Sequence, residues 1–314
     1  MLKKRSVIFF TDYGPTSGNG HLSRCLTLKN LFKKKYNVEI ITKHKIPKLS
    51  GFSKNHNCSV NKFLKKNKKI YNYAFIDNYK INLSTEKKIK NICKKLISLD
   101  DYQRKVHVSD FVINYSPSKN YKKFYNNKNK QTKYLLGDRY NFITNFPGKL
   151  KKTFKKNYIN IFLYLGNNPK RKKIIKKILL ITKNKKIVKN IYIVGYKNFK
   201  IPLKNVKYFK IVSKKKFLDL METSDILILS AGLSLYEGVF LKKKIFSMYV
   251  APNQKPNYDY FFKKNKIKNI KKFKQFINYS PNKIIKEINS LKKFNNKQYI
   301  KNNGLKNIKN LIRV

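Results

Sequence analysis

Short runs of β-branched and aromatic residues recur along the 314-residue chain, each closed by a turn signal and followed by a polar stretch of helical character. In the first half they fall at 7–11, 38–42, 73–77, 96–99, 111–114 and 134–136, and in the second at 159–165, 191–194, 226–230 and 245–249. Runs that stay apolar throughout suit strands buried on both faces, which means a parallel sheet covered by helices. The pattern predicts those helices over 20–35, 85–95, 170–181, 214–222 and 233–241, and over most of 283–311. Glycines stand where such strands would end: Gly14, Gly18 and Gly20 after the first, then Gly166, Gly195 and Gly232. An open α/β sheet turns into its helices and binds ligands at those carboxyl ends, where glycine lets the main chain come close. The series continues on both sides of residues 145–156, a stretch with Pro147 and Gly148 and no strand pattern. The expected fold class is α/β. Two Rossmann-like domains, residues 1–150 and 151–314, are expected to face each other across a cleft.

Composition excludes several classes. Hydrophobic residues make up 41% and aromatics 14%, too many for a disordered chain and enough for two cores. The three cysteines, Cys25, Cys58 and Cys93, form no C-x-x-C pair, so neither a disulfide framework nor a thiolate zinc site is expected. The longest stretch without Asp, Glu, Lys or Arg, 157–169, is thirteen residues, short of the ~20 that a membrane helix needs. The opening MLKKRSVIFF has too few apolar residues before Thr11 and Asp12 for a signal peptide. The expected location is the reduced cytoplasm.

A net charge of +61, from 75 basic and 14 acidic residues, raises the question of nucleic acid. Only six of the basic residues are Arg, and the Lys are spread along the whole chain. A reader of bases and phosphates favours the guanidinium fork, so no specific nucleic-acid partner is expected. Lys, Asn, Ile, Phe and Tyr have A/T-rich codons, whereas Ala occurs only at 74, 231 and 251. A coding bias that puts Lys on every solvated face explains this pattern. The long-range field still attracts anions, which allows weak electrostatic contact with a membrane surface.

Two constellations carry chemistry. Ser17-Gly18-Asn19-Gly20-His21-Leu22-Ser23-Arg24-Cys25 follows the first strand. Gly18 and Gly20 let amides approach an anion, and the helix that follows offers its positive end. Arg24 falls on the face of His21 and is expected to bind substrate, and a neutral imidazole there can take a proton from water. The plainer alternative is a turn and helix start with His21 merely exposed. The second constellation is Ser230-Ala231-Gly232-Leu233-Ser234-Leu235-Tyr236-Glu237, at the end of a buried strand. Ser230, Gly232 and Ser234 leave room and donors for a diphosphate, and Glu237 could accept hydrogen bonds from ribose hydroxyls. Its alternative is a first-turn acid favoured by the helix dipole. Asn253 and Gln254 follow a strand and suit a sugar. Asp77-Asn78-Tyr79 ends another strand, while Asp100 and Asp101 read as helix caps. His44, His56 and His107 have no acidic or Cys partner at ligand spacing and read as structural or exposed. With no Gly-x-x-x-x-Gly-Lys-[Ser/Thr] loop and no Asp-x-Asp pair, neither a metal nor a cofactor is expected.

Gly18-Asn19-Gly20-His21-Leu22-Ser23-Arg24-Cys25-Leu26-Thr27-Leu28 resembles the Gly-Thr-Gly-His-x-x-Arg-Cys-Leu-x-Leu opening of a family of pseudaminic acid biosynthesis, the UDP-2,4-diacetamido-2,4,6-trideoxy-β-L-altropyranose hydrolases. The likeness continues in order through residues 76–79, 99–102, 111–114, 134–137 and Tyr140, then 230–237 and 253–254. It implies a glycosyltransferase-B architecture, a UDP-sugar substrate, and metal-independent attack of water at the anomeric carbon with UDP released. Carried over, His21 is the general base, Tyr79 and Asn253 contact the sugar, and Glu237 holds the ribose. Two departures stand out. The family's Arg before the first-loop Asp is Thr11 here, and its Gly-Gly-Ser-Asp turn reads Gly166-Asn167-Asn168-Pro169. They keep open a glycosyltransferase that uses another acceptor on the same scaffold. A basic nucleic-acid-binding protein without catalysis is the third class weighed.

Overall fold

The structure is a computed structural model that describes residues 5–14, 20–46, 51–101, 106–117, 125, 131–144, 158–166, 171–182, 188–195, 204–263, 268–269, 280, 283, 286, 300 and 303–312. The chain divides into two compact units, Met1–Thr144 with Asn302–Val314, and Asn145–Lys301.

The first unit is built on seven parallel strands: β1 (Arg5–Thr11), β2 (Tyr36–Ile41), β3 (Lys54–His56), β4 (Tyr71–Asp77), β5 (Cys93–Leu99), β6 (Phe111–Asn114) and β7 (Lys133–Leu136). Their order across the sheet is β3-β2-β1-β4-β5-β6-β7. Val7, Ile8, Phe9 and Phe10 of β1 are all fully buried, as a strand covered on both faces requires. Phe9 of β1 sits in register with Phe75 of β4, and the two rings stack at 4.8 Å. Among the described residues, helices α1 (Gly20–Phe32), α2 (Val60–Lys66) and α3 (Leu83–Lys90) connect these strands. Ser59 caps α2 and Asn82 caps α3, each side chain accepting from an amide of the first turn.

The chain steps outward from β1 to β2 and β3, then returns to lay β4 on the opposite flank of β1. The connections leaving the carboxyl ends of β1 and β4 therefore diverge. That gap is the switch point where open α/β sheets hold ligands.

The second unit repeats the logic with six parallel strands: β8 (Ile159–Tyr164), β9 (Val188–Val194), β10 (Val206–Phe209), β11 (Ile226–Ser230), β12 (Lys244–Met248) and β13 (Lys268–Asn269). Their order, β10-β9-β8-β11-β12-β13, puts the switch point between β8 and β11. The described helices are α4 (Arg171–Thr182), α5 (Lys214–Thr223), α6 (Leu233–Phe240) and α7 (Lys255–Lys263). Ile174, Ile175, Ile178 and Leu179 of α4 fill a core against Ile161, Leu163 and Ile228 of the sheet.

Several expectations need correction. The helix expected over 85–95 ends at Lys90, and β5 already begins at Cys93. Lys94 and Lys95 hid this strand start, because their stems can cover apolar surface while their charges stay in water. The strands β3, β10 and β13 were not expected. All three are edge strands: β3 and β13 are short and polar, and Lys207 interrupts the four residues of β10. Helices α2 and α7 were also missed. The expected boundary at 145–156, and most of the helix expected over 283–311, lie outside the described residues.

The last helix, α8 (Gly304–Ile312), was expected in the second domain but belongs to the first unit. Ile308 and Ile312 are fully buried, one turn apart. Tyr73 Oη donates to the Ile312 carbonyl at 3.3 Å, and Asn307 Nδ2 to that of Arg139 at 2.8 Å. Gly304 lies so close to Asn141 that a Cβ built there would overlap that residue's main-chain nitrogen and oxygen. Gly304→Ala is therefore expected to destabilise the first unit by about 1–3 kcal/mol, read as a lower urea midpoint. An unchanged midpoint would show that α8 contributes nothing to that core.

Candidate functional site

Helix α1 buries one stripe, which carries Leu28 and Phe32 against the sheet and continues as Cys25, Arg24 and His21 at its amino end. That end lies over the switch point between β1 and β4. Asp77, the last residue of β4, is fully buried there. Its Oδ1 lies 2.5 Å from His21 Nδ1. Arg24 grips the same carboxylate with two donors, Nε to Oδ2 at 2.8 Å and Nη2 to Oδ1 at 2.7 Å. Nη1 of Arg24 turns the other way, to Asp101 Oδ2 at 2.7 Å and Tyr115 Oη at 3.4 Å. Tyr79 donates its hydroxyl to the second oxygen of Asp101, and its ring meets His21 edge-on at 4.5 Å.

This arrangement fixes the imidazole. A ring nitrogen and a carboxylate oxygen 2.5 Å apart share a proton, because two lone pairs at that distance repel. In the neutral ring the proton therefore sits on Nδ1, and Nε2 carries the lone pair. Nε2 has no hydrogen-bond partner among the described residues. The geometry is that of an oriented general base: a carboxylate sets the tautomer and stabilises the cation that forms when Nε2 takes a proton.

The electrostatics agree. Burial opposes ionisation of Asp77, but Arg24 and His21 outweigh it and hold the carboxyl well below the usual range. Burial likewise works against the charge on Arg24, and Asp101 with Asp77 more than restores it. The Tyr79 hydroxyl is pushed far up, by burial first and then by Asp101, so it remains a donor.

The second unit presents different chemistry. All five residues of β11 are buried, and the chain turns through Ala231 and Gly232 into α6. Gly232 is the N-cap residue, and a side chain there would come into contact with Gln254. The first amides of α6 thus open at the switch point of this sheet, where helix ends favour anions. Asn257 braces the turn, donating to the Ala231 carbonyl at 3.2 Å and accepting from Tyr236 Oη at 2.8 Å. Ser230 and Ser234 are buried beside it. Gln254 accepts from the Val250 amide at 3.0 Å, and Asn253 is half-buried in the same 3-10 turn, Pro252–Gln254. Glu237 lies in the second turn of α6, so the first-turn dipole reading does not apply. It is almost fully buried, and Lys214 of α5 donates to it. Burial raises the Tyr164 hydroxyl pKa, and the Glu237 charge raises it further.

The expected residues are thus distributed over two groups. His21, Arg24 and Tyr79 come together in the first unit, with Gly20 exposed at the start of α1. Gly18 lies outside the described residues. Ser230, Gly232, Ser234, Glu237, Asn253 and Gln254 gather in the second. Arg24 was expected to face substrate, but its Nε, Nη1 and Nη2 are all engaged by protein groups, so it orients the others. Asp100 and Asp101 were expected as caps. Instead Asp101 links Arg24 to Tyr79, and Asp100 meets His107 and Tyr125. His56 and His107 do have acidic partners, Glu39 for the first and Glu86 with Asp100 for the second. Sequence spacing could not show them, because each cluster is assembled by tertiary packing. Among the described residues no helix is long and apolar enough to cross a membrane.

No protein-family model matches the chain. An uncharacterized protein of Methanocaldococcus jannaschii is 27% identical over 289 residues, 82% of this chain and 58% of that one. A Helicobacter pylori protein named pseudaminic acid cytidylyltransferase and UDP-2,4-diacetamido-2,4,6-trideoxy-beta-L-altropyranose hydrolase is 24% identical over 264 residues, 80% of this chain and 46% of that one. The chain spans about half the length of these relatives. Among solved structures, the UDP-GlcNAc 2-epimerase of Neisseria meningitidis, bound to UDP-GlcNAc, superposes with a TM-score of 0.63 at 14% identity. That match covers 98% of this chain and all of the other. The fold is of the glycosyltransferase-B type.

Asp77→Asn removes one of the two carboxylates that Arg24 bridges. A loss of about 3–5 kcal/mol is expected at neutral pH, measured by urea unfolding. A depressed folded-state pKa stabilises above the unfolded value and loses that contribution as pH falls through the folded one. The difference from wild type should therefore narrow below about pH 4. A gap independent of pH would mean that Asp77 is not an ionised partner.

Proposed function

We propose that this protein is a nucleotide-sugar hydrolase that cleaves UDP from a diacetamido-trideoxy sugar by attack of water at the anomeric carbon. One observation carries the reading: an imidazole oriented by a buried carboxylate, with Nε2 unpartnered among the described residues, at the switch point of a parallel sheet. The hydrolase activity in the name of the Helicobacter relative, and the UDP-GlcNAc bound by the Neisseria epimerase, support the choice of a UDP-sugar.

In this mechanism His21 is the catalytic residue. Nε2 takes a proton from water as the oxygen bonds to the anomeric carbon, and the bond from that carbon to the diphosphate oxygen breaks. UDP leaves with the bridging oxygen. The cation formed on His21 is stabilised by Asp77. Tyr79 contacts the sugar. In the second unit the amides of α6, with Ser230, Gly232 and Ser234, neutralise the leaving diphosphate, where charge develops in the transition state. Glu237 accepts from the ribose hydroxyls, and Asn253 and Gln254 bind the sugar. The reaction serves synthesis of a pseudaminic-acid-type surface glycan in the cytoplasm.

The test is incubation with the UDP-sugar in 18O-labelled water and no acceptor. Free sugar carrying the label, with unlabelled UDP, is expected. His21→Ala should lower turnover by about 10²–10⁴-fold, the usual contribution of a positioned base, while UDP affinity stays unchanged. Label in UDP would place cleavage at phosphorus and reject the mechanism. No turnover until a glycan or lipid acceptor is added would make the protein a transferase.

A further inference from the structure

A second buried cluster of charge lies in the first unit, outside the residues assigned to substrate. His107, 1% exposed, stands between Glu86 of α3 and Asp100, which follows β5. Its Nδ1 is 3.1 Å from Glu86 Oε2 and its Nε2 is 3.1 Å from Asp100 Oδ2. A neutral imidazole has one donor, so both contacts are hydrogen bonds to carboxylates only when both nitrogens are protonated. Burial opposes that charge, but bonding to Asp100 and Glu86 outweighs it and raises the His107 pKa above its ordinary value.

The anchors of this cation are themselves fixed. Glu86 Oε1 accepts from the amides of Val108 and Ser109 at 3.0 and 3.1 Å, and from the Ser109 hydroxyl at 2.7 Å. Tyr125 Oη donates to Asp100 Oδ2 at 2.5 Å, and the Asp100 amide donates to the Ile113 carbonyl at 3.0 Å. The next residue along the chain is Asp101, whose carboxylate holds Arg24 and Tyr79. Asp101 lies beyond the end of β5, so the position of its neighbour decides where its carboxylate sits.

We infer that His107 is a positioning residue: as a buried cation it fixes Asp100 and, through the adjoining peptide, the Asp101 carboxylate that sets Arg24, Tyr79 and His21. The inference rests on the proposed role of His21, and its test separates the two. Histidine-selective 15N NMR follows the four imidazoles of the chain in wild type, His107→Gln and Glu86→Gln, alongside UDP-sugar turnover. In both folded variants the His21 ring signals should shift. Turnover should fall about tenfold or more with KM little changed, as expected when a base is misplaced by a fraction of an ångström. Asp101→Asn breaks the same path, so its effect should be smaller on the His107→Gln background than on wild type.

His21 signals at their wild-type positions in a folded variant would overturn the inference. So would effects of His107→Gln and Asp101→Asn that simply multiply. Should His107→Gln fail to fold, Glu86→Gln, which keeps the shape and removes one charge, carries the same comparison. If the wild type releases no sugar, the hydrolase reading fails, while the His21 signals still decide the positioning role.

Discussion

Asp77 lies at the end of a strand flanked on both sides, with no surface of its own, and it accepts from two side chains one helical turn apart on α1. Much of the first unit's chemistry follows from that placement. A carboxylate can remain charged there only because Arg24 faces it, and Arg24 tolerates burial only because Asp101 balances it from the far side. The set of two carboxylates and one guanidinium carries one surplus negative charge. A proton arriving on His21 would bring the group to neutrality, so the cation that the proposed base catalysis creates is accommodated in advance.

The choice of Arg at position 24 stands out in a chain with 69 lysines and six arginines. A lysine ammonium is a point charge, and one nitrogen cannot lie against two carboxylates on opposite sides while also approaching Tyr115. The guanidinium presents donors in a fixed plane and does so. The second unit solves a related problem differently. At its own switch point it offers main-chain amides on a turn held by Asn257, and a buried carboxylate, Glu237, paired with Lys214. Parallel-sheet topology supplies the location in both cases, and local sequence supplies the chemistry.

Much of this was legible in the chain. The apolar runs named ten of the thirteen described strands, because a strand buried on both faces must be apolar along its length. Edge strands such as Lys54–His56 escaped because they need only one partner and little burial. His21, Arg24 and Glu237 were legible as rare residue types next to glycine turns. Their partners were not. Asp77 and Asp101 stand 53 and 77 residues from Arg24, and only the sheet brings them into reach. Lys214 could not be told from its many neighbours, and Asn257 carries no motif. The pairing of His107 with Glu86 and Asp100 also depends on which strands lie side by side, and residue spacing says nothing of that.

The C-terminal helix has a consequence for how the molecule is made. Its buried face, Ile308 and Ile312, completes a core whose strands were synthesised more than 160 residues earlier. During translation the amino-terminal half must wait, with Tyr73 uncovered, while the whole of the other half emerges. The packing of the first unit is therefore completed only after the second unit has been made.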